Sequence, residues 1–423
     1  MAGEVQVTTT LNKPNLPVTS TQQLAYVLIE ILPTESVAQV RMPLNFGFVL
    51  DHSGSMSGAK IEQLREAVRL ALDQMADQDL VSLVVFNDHS DVIVESEAAA
   101  DRDKLKKQVE RIHAGGGTAI SKGMRKGLKE IEKGLAPNRV NRMLLLTDGQ
   151  TFGDEKECLE LATDAGQKGI PVYALGLGAD WNEELLDQIA ASSGGASDFV
   201  AQPDEIVPLF TQTVQRTQQT VVQNAQLTVR LVAGVAPRQV WQVVPTIANL
   251  GYQPISDRDV QVGLGEVEAK VGKALLIELL IPPRQPGKYR VAQTEVEYDV
   301  PAAGVVDEKV RNDILINFTQ DANEARQYDA NVMNIVEKVT AFKLQTRALE
   351  EAKAGNVAGA TQKLRAAATR LLDLGEEDLA NAALQEADNL EKKGEMSAAG
   401  TKKLRYETRK LTQKLVEDEE AEK

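Results

Sequence analysis

The central part of the chain, residues 44–218, alternates short apolar runs with stretches whose apolar residues recur every three or four positions. The helical spacing is clearest at Ile61, Leu64 and Val68. The apolar runs predict buried strands at residues 44–50, 80–86, 142–147, 171–177 and 197–201. Strands that alternate with amphipathic helices form βα units around a mostly parallel sheet. We therefore expect a doubly wound, Rossmann-like α/β domain here.

Residues 219–320 have the two-residue period of half-buried strands instead. Leu227, Val229 and Leu231 alternate with polar neighbours, and later runs repeat this pattern between turn residues. That arrangement is typical of an antiparallel β-sandwich. Residues 1–43 also contain strand-like runs. We expect them to complete the sandwich, so that the α/β domain is inserted into it.

Residues 321–423 are predicted to be helical. The segment 361–365 recurs as 401–405, with Thr, Lys, Leu and Arg at matching positions. A helical-hairpin repeat with a period of roughly 40 residues explains this similarity. The alternative is a helical bundle in which the similarity arose by chance. The acidic residues 417–422 are interpreted as a solvated end of the chain.

Composition and charge narrow the possible functions. The chain of 423 residues is long enough for two or three domains of roughly 150 residues. It has 62 acidic and 47 basic residues, and residues 44–222 hold 28 and 18 of these. Such an acidic surface repels phosphate backbones and argues against a nucleic-acid partner.

The same composition indicates a soluble protein. No apolar run approaches the roughly 18 residues of a membrane helix, and the first twenty residues do not resemble a secretory leader. The single cysteine, Cys158, excludes an intrachain disulfide. We expect a cytoplasmic location without a membrane span.

Three polar segments follow predicted strands or precede a helix in the α/β domain. The first is Asp51-His52-Ser53-Gly54-Ser55, the second is the glycine loop 115–117 with Thr118, and the third is Thr147-Asp148-Gly149. Open α/β sheets bind ligands at the carboxyl ends of their strands, so these segments are expected to converge there. Taken singly, each could be a helix cap or a turn.

Together the segments predict a cation site. Five side chains supply oxygen atoms without sulfur or a required imidazole: Asp51, Ser53, Ser55, Thr118 and Asp148. Such ligands suit a hard divalent cation, Mg²⁺, Mn²⁺ or Ca²⁺.

The Asp-x-Ser-x-Ser sequence with a distant Thr and Asp resembles the metal-ion-dependent adhesion site of von Willebrand factor A (VWA) domains. The resemblance covers residues 44–218, and all five motif positions are intact. It implies direct coordination by both serines and the threonine, with the two aspartates acting directly or through water. The wider layout is similar to that of cytosolic bacterial VWA proteins whose domain is flanked by a β-sandwich and C-terminal helices.

The resemblance implies a non-enzymatic scaffold whose cation binds a Glu or Asp side chain of a partner protein. A narrower version is an adaptor for an AAA+ ATPase on another chain, because the Gly-x-x-x-x-Gly-Lys-Ser/Thr loop is absent from this sequence. One alternative is a structural protein that assembles with itself through its helices. Another is a metal-dependent hydrolase with His52 or His113 as its base.

Polar residues after neighbouring strands are expected to form the partner-binding rim of the cation site. They are Asn87, Asp88, Asp180, Trp181 and Glu183. Trp181 has two interpretations: an exposed anchor for a partner, as tryptophan is at many interfaces, or a side chain packed against the adjacent helix.

Overall fold

The computed structural model describes residues 3–413 and divides into two compact units. One unit is formed by residues 41–220, and the other by the described residues on either side of that segment. The α/β unit thus interrupts the chain of the other unit. The domain boundaries expected at residues 43, 218 and 320 stay a prediction.

The N-terminal segment forms strands that belong to the interrupted unit. They are β1 (Val5–Leu11), β2 (Asn15–Pro17) and β3 (Gln23–Pro33), followed by the short helix α1 (Glu35–Ala38).

The α/β unit alternates strands and helices as its periodicity predicts. Its strands are β4 (Leu44–Asp51), β5 (Leu80–Phe86), β6 (Ser90–Ala98), β7 (Val140–Thr147), β8 (Val172–Leu177) and β9 (Ala196–Val200). Its helices are α2 (Ala59–Gln74), α3 (Arg102–Val109), α4 (Ile120–Glu132), α5 (Glu155–Gln167), α6 (Glu183–Ser193) and α7 (Ile206–Gln218).

The sheet of this unit has the order β6-β5-β4-β7-β8-β9. Strands β5, β4, β7, β8 and β9 are parallel, and β6 is an antiparallel edge strand that the apolar runs did not predict. Only Val94 of β6 is fully buried, because an edge strand has little core to face. Its apolar signal is correspondingly weak.

Helices cover both faces of the sheet. Helices α2, α3 and α7 share a core with alternate residues of the strands, including Phe46 and Phe48. Helix α4 approaches the opposite face closely, since Gly47 and Gly127 have no side chains. A Cβ atom at Gly47 would overlap Ile131, and one at Gly127 would overlap Val49. Strand β4 is therefore buried at every position. The predicted doubly wound architecture is confirmed.

The interrupted unit continues after α7 with a second set of strands. They are β10 (Thr220–Leu231), β11 (Ala236–Val244), β12 (Ala248–Asn249), β13 (Gln253–Pro254), β14 (Asp259–Glu268), β15 (Lys273–Ile281), β16 (Gly287–Val300) and β17 (Val305–Thr319). One sheet has the order β1-β3-β15-β11-β12, and the other has the order β13-β14-β10-β16-β17-β2.

The N-terminal strands contribute to both of these sheets. Strand β3 lies between β1 and β15, and both pairings are antiparallel. Strand β2 joins the other sheet, where it runs parallel to β17. This one parallel pair departs from the purely antiparallel sandwich that the sequence predicts, because the chain changes sheet between β1 and β3.

Four helices complete the unit within the described residues. They are α8 (Ala330–Lys353), α9 (Val357–Asp373), α10 (Glu377–Lys393) and α11 (Ala398–Glu407). The repeated segments lie in α9 and α11, and Leu364 and Leu404 at their matching positions are both buried. The acidic residues 417–422 lie outside the described residues.

The helices pack against the sheet that contains β15. Val332 and Val336 of α8 share a core with Leu28, Trp241 and Leu276. Both faces of β15 are consequently buried, and its sequence is a continuous apolar run rather than an alternating one.

Candidate metal centre

The predicted cation ligands lie at one edge of the α/β sheet. Asp51 is the last residue of β4, and Asp148 directly follows β7. These strands are parallel neighbours in which Leu50 pairs with Leu146, so their carboxyl ends coincide. Ser53 and Ser55 follow β4 in a tight turn, which continues as a short 3₁₀ helix at Gly54–Met56.

A series of hydrogen bonds connects the hydroxyl and carboxylate groups. The Oγ atoms of Ser53 and Ser55 are 3.0 Å apart, and Ser55 Oγ donates to Asp148 Oδ1 at 2.6 Å. Asp148 Oδ2 accepts from the ammonium group of Lys60 at 2.5 Å. Ser53 and Asp148 are buried, whereas Ser55 is exposed, so the cluster opens to solvent at Ser55.

Asp51 is a fully buried member of the cluster. Its Oδ1 accepts from the Ser53 N–H at 2.7 Å, and its Oδ2 accepts from the Thr147 hydroxyl at 2.6 Å. Burial raises the pKa of the Asp51 carboxyl, although these hydrogen bonds oppose the shift. The Ser53 N–H and the Thr147 hydroxyl are both neutral, so they do not compensate the charge of the Asp51 carboxylate. A buried carboxylate without a compensating charge favours a cation nearby.

Thr118 approaches the cluster through the glycine loop. Gly115 N–H donates to the carbonyl of His52 at 2.8 Å, and Gly54 N–H donates to the carbonyl of Gly116 at 2.9 Å. These bonds attach the loop to the turn after β4. A Cβ atom at Gly149 would lie 3.1 Å from Thr118 Oγ1, so Thr118 lies against the residue next to Asp148.

Two of the expected rim residues fix the glycine loop. Asn87 Nδ2 donates to the carbonyl of Gly115 at 2.8 Å, and Asp88 Oδ2 accepts from Gly117 N–H at 2.7 Å. Their side chains therefore hold the loop that carries Thr118, a role that the sequence pattern did not predict. Whether they also contact a partner stays a prediction.

The interpretation of Trp181 as an exposed anchor is wrong. Its side chain is 1% exposed, and its indole N–H donates to the carbonyl of Gly178 at 2.7 Å. Gly176 has no side chain, and the space above it is filled by the indole, which any Cβ atom there would overlap. Burial of the indole over Gly176 of β8 agrees with the alternative of a packed tryptophan, and Trp181 leaves the rim. Its packing against the adjacent helix stays a prediction.

Asp180 lies in the connection between β8 and α6, and Glu183 is the first residue of α6. Strand β8 is a neighbour of β7 in the sheet. Asp180 is exposed and Glu183 is partly exposed. Their placement at the carboxyl edge agrees with a rim position, and their role there stays a prediction.

Both histidines near the motif are hydrogen-bonded to the main chain. His52 Nδ1 lies 2.7 Å from the carbonyl oxygen of His113, and His113 Nδ1 lies 2.8 Å from that of Arg111. A ring nitrogen that faces a carbonyl oxygen must carry the proton. These contacts give each imidazole a structural role in the loop before the glycines.

Two members of the cluster, Lys60 and Thr147, were not among the predicted site residues. Lys60 lies in the first turn of α2, where the helix dipole disfavours a cation, and that unfavourable position is the signal that could have revealed it. Thr147 was part of the third motif segment, but only the pairing of β4 with β7 brings its hydroxyl to Asp51.

The donor set of the cluster fits a hard cation. Its hydroxyl and carboxylate oxygens are the ligands that Mg²⁺, Mn²⁺ and Ca²⁺ take in proteins. The cluster contains two carboxylates, and nowhere in residues 3–413 are three or more His, Cys, Asp or Glu side chains grouped to hold a metal.

Family models and relatives identify the domains. The von Willebrand factor type A domain matches residues 45–213, and the Sll0103-like C-terminal alpha-helical domain matches residues 330–414. The uncharacterized protein sll0103 of Synechocystis sp. is 30% identical over 336 residues, which are 78% of this chain and 78% of that protein. The chain belongs to the Sll0103-like family of von Willebrand factor type A proteins.

Solved structures agree with this VWA fold. A von Willebrand factor type A protein from Catenulispora acidiphila superimposes with a TM-score of 0.76 over 96% of each chain, at 19% identity. The ArnB paralog VWA2 from Sulfolobus acidocaldarius gives a TM-score of 0.56 over 97% of this chain and 99% of that chain, at 15% identity. At these identities the likeness shows the fold alone.

Other relatives match over a smaller share of their length. Inter-alpha-trypsin inhibitor heavy chain H3 of Rattus norvegicus is 31% identical over 166 residues, which are 36% of this chain and 19% of that protein. VWA domains are generally protein-interaction modules, are typically non-enzymatic and often bind a metal ion at their adhesion site. Among residues 3–413, no helix is both long enough and apolar enough to cross a membrane.

Proposed function

We propose that this VWA protein is a divalent-cation-dependent scaffold for protein recognition. The observation that carries the proposal is the hydrogen-bonded series from Ser53 through Ser55 to Asp148, beside the buried carboxylate of Asp51. Thr118 lies against the residue that follows Asp148. All five predicted ligands are thereby near one edge of the sheet.

In this proposal, Ser53, Ser55 and Thr118 offer hydroxyl oxygens directly to Mg²⁺, Mn²⁺ or Ca²⁺. Asp51 and Asp148 supply negative charge, directly or through water. A cation bound there provides a Lewis-acidic position for an anionic oxygen. Neutral hydroxyls leave much of its charge uncompensated, so a Glu or Asp carboxylate of a partner protein is the ligand that completes the site.

A narrower proposal concerns the identity of the partner. The resemblance to bacterial VWA proteins suggests an AAA+ ATPase on a separate chain, in the cytoplasm. The acidic surface of residues 44–222, with 28 acidic and 18 basic side chains, supports a protein partner over a nucleic acid.

The hydrolase alternative has less support. A hydrolase needs a general base close to the metal-bound water. His52 and His113 are the imidazoles nearest the motif in the sequence, and each donates Nδ1–H to a main-chain carbonyl, which leaves Nε2 as the nitrogen that could act as a base. Nε2 of His52 is buried away from solvent and so cannot reach a metal-bound water at the surface. Self-assembly through α8 to α11 is the other alternative, and it predicts partner binding that is independent of the cation.

The test is a pull-down from lysate of the source cell in Mg²⁺ and in EDTA, with the Ser53→Ala/Ser55→Ala double variant in parallel. We expect a protein that the wild type retains in Mg²⁺ and loses in EDTA, and that the double variant does not retain. Mass spectrometry of the retained protein identifies it and decides whether it is an AAA+ ATPase. Retention of the same proteins under all three conditions would instead favour assembly through the helices.

A matched control is available in the same turn. Ser57 donates its hydroxyl to the carbonyl of Gly54 at 2.7 Å and lies outside the motif. Ser57→Ala should therefore keep both Mn²⁺ affinity, measured by isothermal titration calorimetry, and partner retention. If Ser57→Ala loses both as completely as the double variant, the cation ligands are not the serines proposed.

A further inference from the structure

Phe152 is a solvent-exposed aromatic side chain in the connection between β7 and α5, the segment that begins with Asp148. Its exposed fraction of 83% is the largest among the large apolar side chains of residues 3–413. Phe152 follows Asp148 by four residues, so the two Cα atoms are at most roughly 14 Å apart. Scattered exposed apolar residues are common, and the surroundings of this one distinguish it.

The residues on both sides of Phe152 are fixed. Thr151 is 2% exposed, and its hydroxyl donates to the Asp154 carboxylate. The carboxylate of Asp154 also accepts from Ser121 N–H at 2.9 Å. Gly153 adopts a φ of +84° and donates its N–H to Glu155 at 2.9 Å. The exposed ring is therefore carried on an ordered turn.

This turn is attached to the element that carries Thr118. Thr151 Oγ1 lies 3.3 Å from the carbonyl oxygen of Thr118 and accepts from Ile120 N–H at 3.3 Å. Thr151, which precedes Phe152, is thus hydrogen-bonded to Thr118 and Ile120. The same segment follows Asp148, a second proposed cation ligand, along the chain. The ring and the cation position belong to the same edge of the sheet.

The acidic surface of residues 44–222 makes an apolar contact near the cation position useful for recognition. A partner that supplies a carboxylate approaches a segment with 28 acidic and 18 basic side chains, which repels it outside the immediate vicinity of the cation. An apolar contact beside the cation strengthens binding without adding charge, because burying an aromatic ring is favourable whatever the sign of the surrounding field.

We propose that Phe152 is the apolar half of a docking surface for a peptide segment that presents a carboxylate and a nearby apolar side chain. The carboxylate goes to the cation, and the apolar side chain packs on the Phe152 ring. An extended peptide rises roughly 3.3 Å per residue, so the two side chains are within about four positions of each other. This inference rests on the proposed function.

The test uses two displayed peptide libraries with four randomised residues on each side of a fixed central residue, Glu in one and Gln in the other. Both are selected on the full-length protein in Mg²⁺ and in EDTA. We expect the Glu library to be retained in Mg²⁺ only, with apolar residues enriched at one position near the Glu. Selection on Phe152→Ser should keep the preference for Glu and lose the apolar enrichment.

Affinity measurements on one selected peptide complete the test. Phe152→Ser should weaken its binding about tenfold, as truncation of an aromatic anchor does at interfaces, whereas Phe152→Leu should stay within about threefold. Leu135 is an exposed residue in the connection from α4 to β7, at the amino ends of the strands, and Leu135→Ser is the matched control. Mn²⁺ affinity should be the same in all variants.

The outcomes separate the two proposals. Retention of the Gln library as strongly as the Glu library, or retention in EDTA, overturns the proposed function and this inference with it. A Mg²⁺-dependent preference for Glu with identical flanking residues on wild type and Phe152→Ser overturns this inference alone. Equal losses for Phe152→Ser and Leu135→Ser would also overturn it, because an effect at the opposite edge is not specific to the ring.

Discussion

Lys60 determines how charge is distributed among the residues of the cation cluster. Its ammonium group lies 2.5 Å from Asp148 Oδ2, and the side chain of Asp148 is fully buried. An ammonium group in the first turn of a helix is disfavoured by the helix dipole. The ion pair offsets that cost, and it also neutralises one of the two carboxylates that a cation would use.

Replacing Lys60 should therefore change stability and cation affinity in opposite directions. In Lys60→Gln, we expect about tenfold tighter Mn²⁺ binding, because removing a neighbouring positive charge is worth about 1 kcal/mol or more. The metal-free protein should lose about 1–2 kcal/mol, less than for a fully buried pair because 31% of the Lys60 side chain is exposed. Calorimetry with Mn²⁺ and urea unfolding in EDTA measure the two effects.

The matched control is Lys168→Gln. Lys168 pairs with Glu132 and Asp164 on the surface, and its removal should leave Mn²⁺ affinity unchanged. Weaker or unchanged Mn²⁺ binding in Lys60→Gln would show that the ammonium group does not compete with the cation for Asp148.

At the scale of elements, a buried carboxylate joins the C-terminal helices to the sandwich. Glu278 of β15 is 1% exposed and accepts from the indole N–H of Trp241 in β11 at 3.0 Å. The same oxygen accepts from Lys343 of α8, whose ammonium group lies 4.9 Å from the centroid of the Trp241 ring. One carboxylate thus connects two strands and a helix.

We predict that Glu278→Ala loosens the attachment of α8. The substitution leaves a largely buried ammonium group and an indole N–H without their acceptor, which costs about 3 kcal/mol. Glu278→Gln keeps an acceptor oxygen and should cost clearly less. The measurements are urea unfolding and amide hydrogen exchange, which should accelerate in residues 330–353 more than in residues 41–220. Equal exchange rates in wild type and Glu278→Ala would contradict the prediction.

At the scale of the whole molecule, the N-terminal segment supplies two strands, β1 and the interior strand β3, of a sheet whose other strands come from residues after the VWA domain. Strand β3 lies between β1 and β15, and Val27, Leu28, Ile29 and Ile31 of this strand are buried. Each of these side chains contributes about 1.5–3 kcal/mol by burial, so their sum is comparable with the whole net stability of a domain.

Removing residues 1–40 should therefore prevent the sandwich from folding, whereas residues 41–220 should fold alone. Without β3 the apolar strand β15 becomes an exposed edge, which favours aggregation. We expect light scattering after size exclusion to show aggregates for the truncated chain and a monomer for 41–220, with Mn²⁺ affinity retained in the latter. A monomeric chain lacking residues 1–40 with unchanged unfolding midpoints would disprove the insertion.

Periodicity in the sequence was sufficient for most of the architecture. The apolar runs of the VWA domain correspond to β4, β5, β7, β8 and β9. Strands β4, β5, β7 and β8 are buried by helices that the same segment encodes, whereas β9 is an edge strand with one fully buried residue, Val200. Strand β6 was not predicted, because this edge strand buries few apolar side chains and its apolar run is only three residues long, from Val92 to Val94. The sequence of β15 does not alternate between apolar and polar residues, because helices from residues after 329 cover the second face of this strand.

The sequence by itself determined which side chains are candidate cation ligands, because the types of donor and their position after strands are local properties. Only the tertiary structure decided what surrounds them. The burial of Trp181 depends on the space above Gly176, and the pairing of Lys60 with Asp148 joins residues 88 positions apart. A local pattern records how many faces of a segment are buried but not which distant residue buries them. The partners of each group are therefore fixed only when the sheet brings its strands together.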